Sequence, residues 1–320
     1  MPSFHSEVTS DLMAPMNAPA GSLLYSLLHL GGFAGDLRFY SSRCSGSSRI
    51  LELGCGDGRV AAAVVLGEGS LTMLQQHQDA PEQDGAATFP LEKLKCEMDA
   101  MRYLGVEMSE ALAEKARSRL APAEHCAHIV TADFHEPLGE GDFDAAILSA
   151  NTLFCTPKHE LVLQRCAEAL APGGRLLLDV YNADDWHKAA QEEEAQEEAL
   201  AADEADDKDD LLVVVEDESG AEWKVFEREP VVDAAAQTIA CHYDFEATAD
   251  GTRFSQTVQH HYVLPEQLIH LLDGAGFTIE AIDGGFDGQP FEPSESEHLV
   301  VVARKLGGED DVEEESSEEA

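Results

Sequence analysis

A chain of 320 residues, 44% of them hydrophobic, is long enough to bury one large core or two ordinary ones. Its charge is the outlier, with 63 acidic residues against 20 basic ones and a net of −43. Residues 191–218 and 309–320 hold 22 of these acids, yet the remaining 280 residues still carry 41 acidic against 19 basic residues, which disfavours a nucleic-acid backbone or an anionic membrane as partner. Seven cysteines, at 44, 55, 96, 126, 155, 166 and 241, include no C-x-x-C pair, so neither a zinc site nor a disulfide framework is expected. No basic residue precedes Arg38 and no apolar run nears the length of a membrane span. The expectation is a cytoplasmic protein with reduced thiols and no metal.

The first 20 residues hold three prolines and little periodicity, as a loose arm would. "GSLLYSLLHL" (21–30) and "FAGDLRFYSSRC" (33–44) read as short helices. From there strands and helices alternate. "SRILELG" (48–54) is a strand and "DGRVAAAVVLG" (57–67) a helix closed by Gly67. Residues 68–100 are polar and aperiodic, an inserted loop. "RYLGVEM" (102–108) is a strand, and "SEALAEKARSRLA" (109–121) a helix with Ser109 as N-cap. "AHIVTAD" (127–133), "FDAAILSAN" (143–151) and "GGRLLLDVYN" (173–182) are strands, the last two flanking the helix "PKHELVLQRCAEAL" (157–170). Such alternation implies βαβ units, a parallel sheet and helices on both faces. Residues 187–210 are almost wholly Ala, Glu, Asp and Gln, with no apolar stripe, and read as a solvated insert. "LLVVVED", "EWKVFEREPVV", "QTIACHYDFEAT" and "RFSQTVQHHYVL" form an antiparallel meander. "PEQLIHLLDGAGF" (265–277) is a helix opened by proline, followed by a closing strand pair and an acidic tail.

The loop "LELGCGDGRV" (51–60) is the chemical centre of this reading. Its glycines, 54, 56 and 58, follow G-x-G-x-G, and Arg59 stands where a dinucleotide site requires the third glycine of G-x-G-x-x-G. No Gly-Lys-Ser/Thr follows, so it is no P-loop either. Glycines at every second residue let the backbone approach a compact ligand. Glu52, at the strand's carboxyl edge, is placed to accept a hydrogen bond from an ammonium group.

"LELGCGDGR" resembles the first motif of the class I S-adenosylmethionine-dependent methyltransferases of small-molecule type, and "GVEMSEALAEKARSRL" the second. "TADFHEPLGEGDFDAAILSANTLF" resembles the third and fourth, "LAPGGRLLLDVYN" the strand after them, and "HHYVLPEQLIHLLDGAGFTIEAIDGGFDGQPF" the closing segment. The likeness spans about residues 33–306. It implies a Rossmann-like, doubly wound α/β fold with a seven-stranded sheet, six strands parallel and the last antiparallel, plus an antiparallel β meander and an N-terminal helical lid. The organisation expected is arm and lid 1–45, cofactor core 46–186 with its insert 68–100, acidic insert 187–210, β subdomain 211–264 on the substrate side, closing elements 265–306, and acidic tail 307–320.

The resemblance assigns S-adenosyl-L-methionine as cofactor and S-adenosyl-L-homocysteine as product. It places Gly54, Gly56 and Gly58, with Glu52, Cys55 and Arg59, around the methionine end. Glu107 would accept from the ribose hydroxyls, and Asp133 would meet the adenine amino group, with Met108 and Phe134 against the ring. Tyr40 matches an aromatic position of the lid. Ser149 lies beside the methyl donor, and Asn151 and Tyr262 on the substrate side. Glu107 follows the glycines by far more than the usual ~20 residues, and the 68–100 insert absorbs the surplus. Cys55 reads as a spacer rather than a nucleophile. Tyr181, His260 and His261 are the catalytic candidates; strand alternation puts His260 and Tyr262 on one face and His261 on the other. The function implied is methyl transfer to nitrogen or oxygen of a small-molecule acceptor. The rivals are a non-catalytic cofactor-binding partner subunit and a protein or nucleic-acid methyltransferase; "SANTLF" stands where the nucleic-acid enzymes carry Asn/Asp-Pro-Pro-aromatic. A basic protein partner for the acidic runs is the remaining partner expectation.

Overall fold

The computed structural model describes residues 32–67, 102–138, 143–197, 210–216, 221–228 and 230–307. The first expected helix (21–30), the 68–100 insert and the acidic tail therefore lie outside the described residues. By its internal contacts the chain divides into two compact units. The larger holds residues 33–153, 158–181 and 266 onward; the smaller includes 154–157 and 182–265.

The larger unit opens with α1 (Asp36–Arg43), β1 (Arg49–Leu53) and α2 (Arg59–Leu66). It continues with β2 (Arg102–Glu107), α3 (Glu110–Arg119), β3 (Ala127–Thr131), β4 (Phe143–Leu148), α4 (His159–Ala169) and β5 (Leu170–Tyr181). Five of these strands form a parallel array in the order β5-β4-β1-β2-β3. Strand β1 is buried from Ile50 to Leu53, as a parallel strand covered on both faces must be. The alanines of "RVAAAVVL" let α2 lie close on the sheet, and Val60 through Leu66 are all buried. That face of the core joins Phe39 and Tyr40 of α1 to Ile50, Tyr103, Ile147 and Leu177 of the strands. Ser109 caps α3 by accepting from the Leu112 N–H at 3.4 Å, as its sequence position predicts.

The smaller unit contains α5 (Asp184–Glu197) and strands β6 (Asp210–Glu216), β7 (Glu222–Glu227), β8 (Val231–Asp233), β9 (Thr238–Ala247) and β10 (Arg253–His261). They make an antiparallel sheet in the order β10-β9-β7-β6, with β8 also on β9, around buried Val225 and Phe245. The expected acidic insert begins differently from its reading. Residues 187–197 continue a helix whose Ala and Glu content has high intrinsic propensity, and Asp184 and Asp185 favour its N-terminus electrostatically. Ala190 supplies a buried contact despite the absence of an apolar stripe.

α6 (Pro265–Gly274) then leads the chain to β11 (Phe277–Asp283) and β12 (His298–Lys305). β12 runs antiparallel to β5 and β11 antiparallel to β12, completing a seven-stranded sheet in the order β11-β12-β5-β4-β1-β2-β3, with only the last strand reversed. Among the described residues no helix is long and apolar enough to cross a membrane.

Two glycines separate backbone strain from packing. Gly58, at φ +81°, begins α2, and a Cβ there would stand 3.0 Å from Ala116 of α3. Gly46, at φ +89°, has nothing within 4 Å of that position. Gly46→Ala should cost about 1 kcal/mol in urea unfolding, from left-handed backbone alone. Gly58→Ala should cost measurably more, because α2 and α3 must also separate.

Candidate cofactor site

The crevice at the carboxyl ends of β1, β2, β4 and β5 is where an open α/β sheet binds ligands. Its floor is the glycine loop. Gly54 and Cys55 both donate to the Val106 carbonyl, at 2.8 and 3.1 Å, which ties the loop to the end of β2. Gly54, Gly56 and Gly58 all sit in the left-handed region, at φ 67°, 56° and 81°. Their surroundings divide their roles. A Cβ on Gly54 would press on Thr152 at 2.7 Å, and one on Gly58 on Ala116, so those two serve close packing. Gly56 has nothing within 4 Å, and it is there that the loop faces open space. Cys55 is buried, tucked over Gly105, where a Cβ would stand 2.8 Å from its sulfur. Burial pushes its thiol well above the usual range, which disfavours the nucleophilic thiolate.

Glu107 ends β2, and its carboxylate brackets the open side of the loop. One oxygen accepts from the Gly56 N–H at 2.9 Å and the other from the Ser109 N–H at 2.8 Å. Burial raises its pKa, opposed by these backbone bonds. Two strands away from β1, Asp133 accepts from the His135 N–H at 2.9 Å and contacts its Nδ1 at 2.6 Å. Phe134 beside it is buried and Met108 half-buried. The structure thus brings Gly56, Glu107 and Met108 together, with Asp133 and Phe134 at the end of neighbouring β3.

Toward β4 and β5 the expected site residues bond one another and their neighbours. Glu52 is 1% exposed, and its two oxygens accept separately from the Tyr103 hydroxyl and from the Ser149 hydroxyl, the latter at 3.0 Å. Arg59 is likewise committed: it grips Asp36 with two bonds, 3.1 and 2.5 Å, pinning α2 to α1. Tyr40 is fully buried and donates its hydroxyl to Asp179 of β5. Asp179 takes the Ala150 N–H on the same oxygen, at 2.9 Å. Ala150 and Asn151 follow β4 at φ 51° and 62°, unusual for residues with a Cβ. The turn is braced by the Asn151 side chain accepting from the Tyr181 N–H at 2.8 Å, and by the Thr152 hydroxyl donating to the Ser149 carbonyl at 2.6 Å.

Asp36, Tyr103 and Asp179 were not singled out from sequence. Asp179 had a legible signal, a lone acid in the apolar run "RLLLDVY", since a charge inside a buried strand is seldom incidental. Tyr103 and Asp36 had none, being defined only by distant partners.

The remaining candidates are divided between the two units. Tyr181 ends β5 in the larger unit, opposite His298. His260 and His261 end β10 in the smaller unit, opposite Ile239 and Thr238, on alternate faces as expected. Burial lowers the pKa of His261. Tyr262 is 1% exposed, with its hydroxyl 2.7 Å from Nδ1 of His187. Among the described residues no group of three or more His, Cys, Asp or Glu is placed to hold a metal ion.

A family profile described as a methyltransferase domain matches residues 83–178, from before β2 to within β5, leaving out the glycine loop. Among solved structures, the methyltransferase CcbJ from Streptomyces caelestis is 22% identical, with 86% of this chain and 98% of that one aligned at a TM-score of 0.58. An S-adenosylmethionine-dependent methyltransferase from Clostridium acetobutylicum is 11% identical over 89% and 97%, at 0.60. CalS10 from Micromonospora echinaspora, an amino pentose methyltransferase solved with S-adenosylmethionine bound, is 17% identical over 88% and 97%, at 0.55. A search of curated proteins finds no match. Residues 83–178 thus match a methyltransferase domain, and the fold is the one these S-adenosylmethionine-dependent methyltransferases share.

The residues present fit that cofactor: an open approach at Gly56, an acid beside it at the end of β2, and two buried acids that could balance a cationic ligand. Burial, opposed by the Tyr103 and Ser149 bonds, raises the Glu52 carboxyl to about 7; burial, opposed by Tyr40 and Ala150, raises Asp179 to about 6. A raised folded-state pKa gives stability that is complete below the unfolded pKa and is lost as pH climbs through the folded one. Glu52→Gln should therefore gain stability relative to the parent protein between about pH 5 and 8, by up to roughly 3 kcal/mol in thermal or urea unfolding without ligand.

Proposed function

We propose that the protein moves a methyl group by in-line displacement to a nitrogen or oxygen of a small-molecule acceptor. The observation that carries the site assignment is Gly56, open to solvent space on one side and bonded through its N–H to Glu107. The bound sulfonium supplies an already activated methyl carbon. The protein's task is then chiefly to hold donor and nucleophile at near-attack distance, roughly 3 Å.

In this reading Glu107 turns its remaining lone pairs to the ribose hydroxyls, a charge-assisted contact. Asp133 receives the adenine amino group, and Met108 and Phe134 flank the ring. The left-handed turn at Ala150 and Asn151 fixes the end of β4 beside the methionine end. Tyr181, His260 and His261 remain the candidates for taking a proton from the acceptor. The acidic surface favours a small or cationic acceptor over a polynucleotide. CalS10, which shares the fold, acts on an amino pentose, which puts small amines first among acceptors to test.

Glu107→Ala should weaken S-adenosylmethionine binding by about tenfold or more in titration calorimetry, the loss of one or two charge-assisted bonds. Unchanged affinity would place the ribose elsewhere. Labelled methyl donor, offered with amines, phenols and carboxylic acids, should transfer to at least one class. Donor binding without transfer to any of them would favour the partner-subunit reading, and transfer to a polynucleotide would overturn the small-molecule one.

A further inference from the structure

We propose that Asp179, held in place by Tyr40 and by the Ala150 N–H, receives the α-ammonium group at the methionine end of the cofactor. This rests on the cofactor reading above and reassigns the role that the sequence gave to Glu52.

The two buried acids at the carboxyl edge are occupied differently. Glu52 divides its donors, with Tyr103 on one oxygen and Ser149 on the other. Asp179 takes both of its donors, the Tyr40 hydroxyl and the Ala150 N–H, on Oδ1. Its Oδ2 is fully buried and has no hydrogen-bond partner, although the residue is only 1% exposed. An unpaired buried carboxylate oxygen carries a desolvation cost of a few kcal/mol, and folded proteins rarely retain one without use.

Its position says what the use is. Besides the side-chain bonds, the Asp179 carbonyl accepts from the Asn151 N–H at 3.2 Å, so main chain and side chain together hold the left-handed turn. The next residue of that turn, Thr152, packs on Gly54 of the glycine loop. Asp179 is therefore tied to the glycine loop through this turn, whose residues Ala150 and Asn151 it bonds and whose Thr152 packs on Gly54. The charge balance agrees. Arg59 is the cation felt by both buried acids, and its guanidinium is already gripped by Asp36. Two carboxyls are left without an ion-pair partner, and an ammonium ligand is the group that satisfies Oδ2 and offsets the charge.

Three ligands separate the contributions. S-adenosylmethionine carries a sulfonium, an α-ammonium and a carboxylate, S-adenosylhomocysteine the ammonium and carboxylate, and 5′-methylthioadenosine none of the three. An acid cannot attract the carboxylate, so a loss shared by the first two and spared in the third reports the ammonium. In titration calorimetry Asp179→Asn should weaken S-adenosylhomocysteine and S-adenosylmethionine alike, by tenfold or more, and leave methylthioadenosine within twofold. Unchanged S-adenosylhomocysteine affinity, or loss confined to the sulfonium ligand, would overturn the assignment. Equal loss for all three ligands would also overturn it, since it would mean that the crevice had collapsed. Asp179→Asn keeps an oxygen that can accept from Tyr40 and from the Ala150 N–H, and Asp179→Ser serves as a second variant with the same expected pattern, its fold checked by methylthioadenosine binding. Methylthioadenosine binding and its dependence on Glu107 report the adenosine half independently. Failure at Asp179 is thus distinguishable from failure of the cofactor reading.

Discussion

Glu52 and Asp179 are carboxyls buried at the carboxyl edge of a parallel sheet, with no ion-pair partner of their own among the described residues. Burial of this kind is unfavourable, and the surrounding structure is arranged around it. Tyr103 reaches across from β2 to Glu52, Tyr40 comes down from α1 to Asp179, and Ser149 and Ala150 close from the end of β4. The donors come from α1, β2 and the end of β4, so this polar layer joins α1, β1, β2, β4 and β5 at the carboxyl edge of the sheet.

The Asp36–Arg59 pair adds the last tie. It is almost sealed from water, with side chains 4% and 12% exposed, and fixes α1 against the start of α2 immediately behind the glycine loop. An exposed pair of this kind contributes little, but breaking a buried one leaves a stranded charge. Tyr40 lies one helical turn after Asp36, so the same short helix holds Arg59 with one residue and Asp179 with the other. Loop placement and acid placement are therefore mechanically coupled through α1.

Most of the fold was legible because parallel strands between helices leave a strong pattern: apolar runs ended by glycine, polar caps, then alanine-rich or amphipathic turns. Ser109 as N-cap, Pro265 as the first residue of α6 and the glycine loop all stand where their chemistry predicts. Glu107 and Asp133 stand at or just beyond strand ends for the same reason, and their role toward adenosine belongs to the proposal. The partners of the buried acids were not legible. Glu52 was read as a ligand because it ends a strand next to the glycines, yet its oxygens are taken by Tyr103, 51 residues away, and Ser149, 97 residues away. Sequence spacing says nothing of such partners. Arg59 tells the same story: the residue that excluded a dinucleotide fingerprint is held by a helix N-terminal to it. The start of the acidic stretch, read as a solvated insert in which a helix was possible, is helical: Ala and Glu favour the helix and Ala190 is buried.

The central claim is that the buried acids await a cation, and proton counting tests it directly. Glu52 and Asp179, facing Tyr40 and Asp36 from α1, Arg59 from α2 and Tyr103 from β2, hold protons near neutrality in the ligand-free protein. A cationic head bound against them lowers both pKa values and expels protons. Titration of S-adenosylmethionine at pH 6.5 in buffers of different ionisation enthalpy should show release of about one proton per cofactor bound. Binding with no proton release, or with uptake, would contradict the account.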